Sequence, residues 1–179
     1  MSLSGATLTK PDAATAPLDP LALRTAFAQF PQGVVVVGAE IDGVPEGLVV
    51  STFTVGVSLE PPLVSVAMQH SSKTWPRLRD NARHLGVSGI GADQQPLARQ
   101  IAATDRANRF TGVDYTAADG GALVLDRTPL WLKTRIHHQF TAGDHDVVIL
   151  EVLNLGLDPT QPGLVFHQSA FKPLPVAEG

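Results

Sequence analysis

Apolar and polar positions change rhythm several times along the chain. Leu23, Phe27 and Phe30 recur at spacings of four and three, which predicts one apolar face of a helix. Asp19 as N-cap and Pro20 at the first helical position mark where it starts, and Pro31 marks where it ends. Val34-Val35-Val36-Val37 then breaks the helical period. A run of β-branched residues predicts a buried strand within Gly33 to Glu40. Asp42-Gly43 is a turn signal, and Gly47 to Phe53 is the expected returning strand. Pro61-Pro62 leads into a strand over Leu63 to Gln69. A helix is expected from near Thr74 to about Asn81, and a strand over His84 to Ile90. Asp93 is the expected cap of a third helix through Leu97 and Ile101. Beyond a Gly120-Gly121 link, strands are expected over Leu130 to Thr141, Val147 to Leu157 and Leu164 to Phe171, with Gly143-Asp144 as a turn.

The strands do not alternate one-for-one with helices, which argues against a doubly wound parallel sheet. An antiparallel barrel with a few peripheral helices fits the order best. Residues 1–18 carry little hydrophobic pattern and read as a mobile tail, leaving 19–179 as one domain. With 179 residues, 44% hydrophobic and 17% charged, the chain can bury a full core. It contains no cysteine, so disulfides, thiolate catalysis and zinc-thiolate sites are excluded. A formal net charge of -4 disfavours nucleic acid as a partner. No apolar run approaches the roughly 20 residues of a membrane span, and Met1 to Lys10 lacks the features of a secretory signal. A cytoplasmic protein without membrane contact is expected.

Three segments can carry chemistry. In Gly47 to Thr54 an apolar strand becomes a run of small hydroxyl residues, Ser51-Thr52-Phe53-Thr54. Such a run lets a flat ring approach the backbone, and it equally fits a strand end facing water. In His70 to Pro76, the hydroxyls of Ser71, Ser72 and Thr74 and the ammonium of Lys73 lead into a helix with Thr74 as its expected cap. That combination favours an anion, or capping alone. In Gly143-Asp144-His145-Asp146 a histidine lies between carboxylates, as a general acid, a hydrogen-bond donor or a plain turn residue. His137 and His138 are adjacent and point to opposite faces of a strand, so a shared metal site with His145 is disfavoured. Arg77, Arg79, Arg83, Arg99, Arg106 and Arg109 read as solvated or paired. No G-x-G-x-x-G follows a strand, so any nicotinamide is bound without a Rossmann domain.

Taken in order, several stretches resemble the flavin reductase-like family with the FMN-binding split-barrel fold. They are Phe27 to Val37, Ser51 to Thr54 with Val57 to Val64, Ser71 to Leu78, Asn108-Arg109-Phe110-Thr111-Gly112-Val113, Gly143-Asp144-His145, and Pro162 to Phe166. The resemblance spans Leu23 to Leu174. It implies a mainly β fold, a six-stranded antiparallel Greek-key split barrel that forms a homodimer with flavin near the subunit interface. It implies that Val49, Val50, Ser51, Thr52, Phe53 and Thr54 line the isoalloxazine and that Ser71, Ser72, Lys73 and Thr74 hold the phosphate. His145 would stand by the nicotinamide or the reactive face of the ring, and Phe171 would cover part of the pocket. The implied activity is reduction of FMN or FAD by NADH or NADPH, with a flavin-dependent monooxygenase as partner. The alternative is a non-catalytic flavin-binding protein of the same fold. Val49 stands where the family commonly has Thr, and Val55-Gly56 where Ser-Val is usual.

Overall fold

The computed structural model describes residues 18–175, so the tail expected over 1–18 falls outside the described residues except for Leu18. The first helix, α1, spans Pro20–Phe27, and Asp19 Oδ2 accepts a hydrogen bond from the Ala22 amide, as expected of an N-cap. The helix stops at Phe27, short of the expected end before Pro31, and its apolar side does not pack inward: Phe27 is 64% exposed and Phe30, in the turn that follows, 72%.

Two short strand residues, β1 (Gln32–Gly33), precede β2 (Val35–Ile41). Asp42 and Gly43 both take positive φ, which the two-residue turn into β3 (Val44–Val50) requires. The chain continues as β4 (Thr54–Leu59), β5 (Pro62–Gln69), α2 (Trp75–Asn81) and β6 (Leu85–Gly89). After α3 (Gln95–Ala102) come the short pair β7 (Tyr115–Ala117) and β8 (Leu123–Leu125). The long hairpin β9 (Leu130–Ala142) and β10 (His145–Leu157) turns at Gly143-Asp144. A final hairpin joins β11 (Leu164–His167) to β12 (Ala170–Pro173).

The main sheet is antiparallel and has seven strands in the order β3-β2-β6-β9-β10-β5-β4. The fold is therefore mainly β with a few helices, and the sheet holds one strand more than the expected six. The addition is β4, where Gly56 at φ +71 and a register break against β5 interrupt the alternation that reveals a strand. The single strand expected over Leu164 to Phe171 is instead a hairpin, because Gln168 and Ser169 both take positive φ. Asp93 does not cap the third helix. It lies inside a preceding 3-10 turn, which Gln94 caps by accepting from the Gly91 amide at 2.9 Å, and the N-cap of α3 is Gln94, with no side-chain capping bond.

The valine run is buried on both faces, as a fully covered strand should be. Val35 and Val37 enter a cluster with Val66, Met68, Leu85, Val148 and Leu150, into which α2 inserts Trp75 and Leu78. Val34 and Val36 face the other way, against Ile90, Ala98, Ile101, Leu123 and Leu164. The first cluster lies on one side of the sheet and the second lies beneath α3 and β8. The ends of β3, β5, α3 and the β9–β10 turn open together at one surface, and that surface carries the site.

Candidate functional site

A cleft of about 610 Å³ opens where these ends meet. One wall is the end of β3 with the residues that follow it, Val49, Val50, Ser51 and Thr52. Thr52 Oγ1 lies 3.0 Å from both the nitrogen and the carbonyl oxygen of Ala67, which ties this wall to β5. The loop Ser71-Ser72-Lys73-Thr74 forms the second wall and His145 stands at the start of β10.

Thr74 is 3% exposed, yet it does not cap α2 with its side chain. The capping contact comes from Ser72, whose Oγ accepts from the Trp75 amide at 3.1 Å. Thr74 is occupied otherwise: its Oγ1 accepts from Arg109 Nη1 at 2.9 Å. Arg109 also donates to the Gly47 carbonyl at 3.2 Å and, through Nε, to the Ala103 carbonyl at 2.8 Å. The segment carrying Arg109 sits this close because Gly47 lacks a side chain. A Cβ there would stand 2.8 Å from Phe110 Cζ.

Among the described residues, the cleft lining holds the cations Lys73, Arg106 and Arg109 and no carboxylate. The nearby carboxylate, Glu46, is engaged by Arg77 at 2.8 Å and by Arg106 at 2.9 Å. Arg106 Nε is buried with no hydrogen-bond partner. Burial pulls the Arg109 guanidinium below its ordinary value, with repulsion from Arg106 adding to this and Glu46 opposing it. Two guanidiniums and an ammonium at one end, with hydroxyls beside them, form an anion-selective donor set.

At the start of β10, His145 Nδ1 lies 2.7 Å from Asp144 Oδ1. That contact leaves Nε2 as the ring nitrogen available to a ligand. The hydrogen bond from His145 holds the Asp144 carboxyl below the usual carboxylate range. Asp146 turns away from the cleft and accepts from His70, Gln139 and Thr141, and the His70 contact is foremost in holding its carboxyl low.

The cleft thus brings together Val49, Val50, Ser51, Thr52, Ser71, Ser72, Lys73, Thr74 and His145. Phe53, Thr54 and Phe171 do not line it. Phe53 packs against the first core cluster, and Thr54 starts β4 and pairs with Ser65. Phe171 stacks edge-on with Phe166 against the second cluster, under the Arg99 guanidinium. The sequence reading missed Arg106, Arg109 and Thr104, which also line the cleft. Arg109 lies within Asn108 to Val113, a stretch that carried the family resemblance without a role for its arginine.

The cleft suits a flat, phosphorylated ligand: small residues and strand backbone on one side, cations and hydroxyls beside them, and a histidine at the start of β10.

A family model described as "Flavin reductase like domain" matches residues 27–175. The chain is 31% identical to a flavin reductase of Pseudomonas putida, over 86% of this chain and 89% of the relative. It is 27% identical to the reductase subunit of a flavin-dependent monooxygenase from Rhodococcus jostii, over 86% of this chain and 77% of the relative. Among solved structures it resembles a Streptomyces globisporus NADH:FAD oxidoreductase in complex with NAD and FAD fragments. The TM-score there is 0.79 at 30% identity, over 88% of this chain and 96% of that one.

Proposed function

The chain belongs to the flavin reductase-like family, and from that premise we propose that it is an NAD(P)H:flavin oxidoreductase whose reduced flavin serves a partner monooxygenase. One observation carries the reading: the strand end Val49 to Thr52, the loop Ser71 to Thr74 and His145 line a single cleft with three cations and no carboxylate among the described residues.

The flavin, when bound, supplies a ring that accepts hydride from the nicotinamide. The chain's own residues hold and orient. Val49 to Thr52 offer backbone and small side chains against the ring. Ser71, Ser72, Lys73 and Thr74 take the phosphate, and Arg106 and Arg109 set the positive field at that end. His145 Nε2 orients the nicotinamide or hydrogen-bonds the ring edge, with Asp144 fixing the imidazole. Positioning of two planar partners is the main demand of such a transfer, so no strong acid or base is needed.

The six strands β3, β2, β6, β9, β10 and β5 form the split barrel in this reading, with Thr52 spanning the gap between β3 and β5 and β4 as an outer addition. The working unit is a homodimer. Leu155 and Leu157, opposite Leu132 and Leu130 of β9, share one face of β10 at 54% and 71% exposure, an apolar surface that a second copy would cover.

The test is the protein-dependent loss of nicotinamide absorbance with NADH or NADPH, each with FMN or FAD. A rate above background is expected, and it identifies both preferred cofactors. Flavin binding without turnover would instead make the protein a flavin carrier.

A further inference from the structure

We propose that Arg109 is a positioning residue for the flavin phosphate, acting through the Thr74 hydroxyl. The inference rests on the reading that the cleft takes a phosphorylated flavin.

A hydroxyl has one proton to give and lone pairs to accept with. When a guanidinium donates to Thr74 Oγ1 at 2.9 Å, the acceptor side of that oxygen is used. The Thr74 proton then has no role but donation, and polarisation by the cation strengthens it. Ser72 is in the same condition, since its Oγ accepts from the Trp75 amide at 3.1 Å. Among the described residues neither hydroxyl donates to an acceptor within the fold. Side by side on one wall, both therefore present protons to the cleft, and a phosphate, which only accepts, is the complementary ligand.

Arg109 is well built for this task. Nη1 is committed to Thr74 and Gly47, and Nε to Ala103. These contacts join the middle of β3, the N-cap residue of α2 and the residue after α3, so the guanidinium is fixed to three elements around the cleft. Thr74 is 3% exposed, so its hydroxyl has little water to fall back on if Arg109 is removed.

The experiment is a flavin-fluorescence titration with FMN and with riboflavin, which lacks the phosphate. The proteins are the wild type, Thr74→Val, Thr74→Ser, Arg109→Gln and the Thr74→Val/Arg109→Gln double variant. Wild type is expected to prefer FMN. Thr74→Val and Arg109→Gln should each lose about tenfold in FMN affinity, with riboflavin affinity unchanged and Thr74→Ser close to wild type. The double variant should lose less than the product of the two single losses, because both changes break one relay. Losses that multiply in the double variant, or an FMN affinity untouched by Thr74→Val, would overturn the proposal. If Arg109→Gln loses riboflavin as well, it has lost its fold, and Arg109→Lys takes its place in the cycle with the same expectation of non-additivity. A wild type that binds FMN and riboflavin equally overturns the phosphate relay and leaves the flavin reading standing. A wild type that binds neither overturns both.

Discussion

Thr52 Oγ1 stands 3.0 Å from both backbone polar groups of Ala67, accepting from its amide and donating to its carbonyl. One side chain thereby does what a paired strand residue does, at a point where the seven-stranded sheet has no ladder between β3 and β5. The chain must leave β3 here to enter β4, so backbone pairing is interrupted and the hydroxyl replaces it. Thr52→Val keeps the shape and removes both bonds. Water reaches this position, so the cost should stay at about 1–2 kcal/mol. The variant should unfold at lower denaturant with an unchanged m-value, and Thr52→Ser should recover most of the loss.

Glu46 answers two guanidiniums, those of Arg77 and Arg106, while its own side chain is 12% exposed. Both arginines are partly open to solvent, so the pair lies between an exposed bridge worth up to about 1 kcal/mol and the roughly 3–5 kcal/mol lost when one partner of a buried pair is removed. Glu46→Gln should cost about 2 kcal/mol in chemical denaturation. The same change leaves Arg106 less neutralised, so the cleft becomes more positive. FMN affinity in the folded variant should rise or hold, and its salt dependence should steepen.

Most of the strand order was legible because burial leaves a plain record. Val34 to Val37 could only be a covered strand, and Leu130 to Thr141 and Val147 to Leu157 differ from the observed β9 and β10 by one or two residues at their turn. What escaped was decided by backbone geometry or by distant neighbours. β4 is hidden by its bulge at Gly56, and the last hairpin by positive φ at Gln168 and Ser169, residues that rarely adopt it. In the site, the hydroxyl runs at 51–54 and 71–74 drew attention but fitted a strand end or a plain cap equally well, and the family resemblance supplied their roles. Arg106 and Arg109 were not legible, since an arginine's role depends on what faces it. Glu46 is 60 residues from Arg106, and Thr74 is 35 from Arg109. Phe171 illustrates the reverse case, a position singled out by resemblance whose ring packs against Phe166.

The carboxyls of Asp144 and Asp146 are both held low by their histidine partners, His145 and His70. In the unfolded chain they titrate near the ordinary value of about 3.9. Over that window the unfolded state binds more protons, so stability rises with pH. Their contribution is present above the unfolded value and is lost as pH falls through it toward the folded values. Thermal melting of the wild type should therefore drop on acidification below about pH 5. Asp146→Asn, which removes one of these groups, should show a shallower acid slope and a lower melting temperature at neutral pH.

The proposed homodimer makes a direct prediction about β10. Leu155 shares one exposed face of that strand with Leu157, so Leu155→Asp places a charge in the apolar surface. Sedimentation should give a dimer for the wild type and a monomer for the variant. A variant that still sediments as a dimer would place the interface elsewhere, for which exposed Phe27 at the end of α1 and Phe30 in the turn after it are the alternative.

His145 and Asp144 should differ sharply in what their removal costs. The imidazole lines the cleft and, in the proposed function, faces the nicotinamide, whereas Asp144 is 87% exposed and holds Nδ1 at 2.7 Å. Misplacing a reacting partner by about 1 Å costs roughly a hundredfold, so His145→Ala should lower kcat/KM for NAD(P)H by about ten- to a hundredfold. FMN affinity should hold, because the phosphate end of the cleft is untouched. An exposed ion pair is worth no more than about 1 kcal/mol, or about fivefold in rate. Asp144→Asn also retains an oxygen that can accept from Nδ1, so its loss should fall within that limit. The contrast separates two roles for the Gly143-Asp144-His145 turn. If both variants lose rate equally, the charge on Asp144 matters to the transfer itself. If neither loses rate, His145 has no part in it.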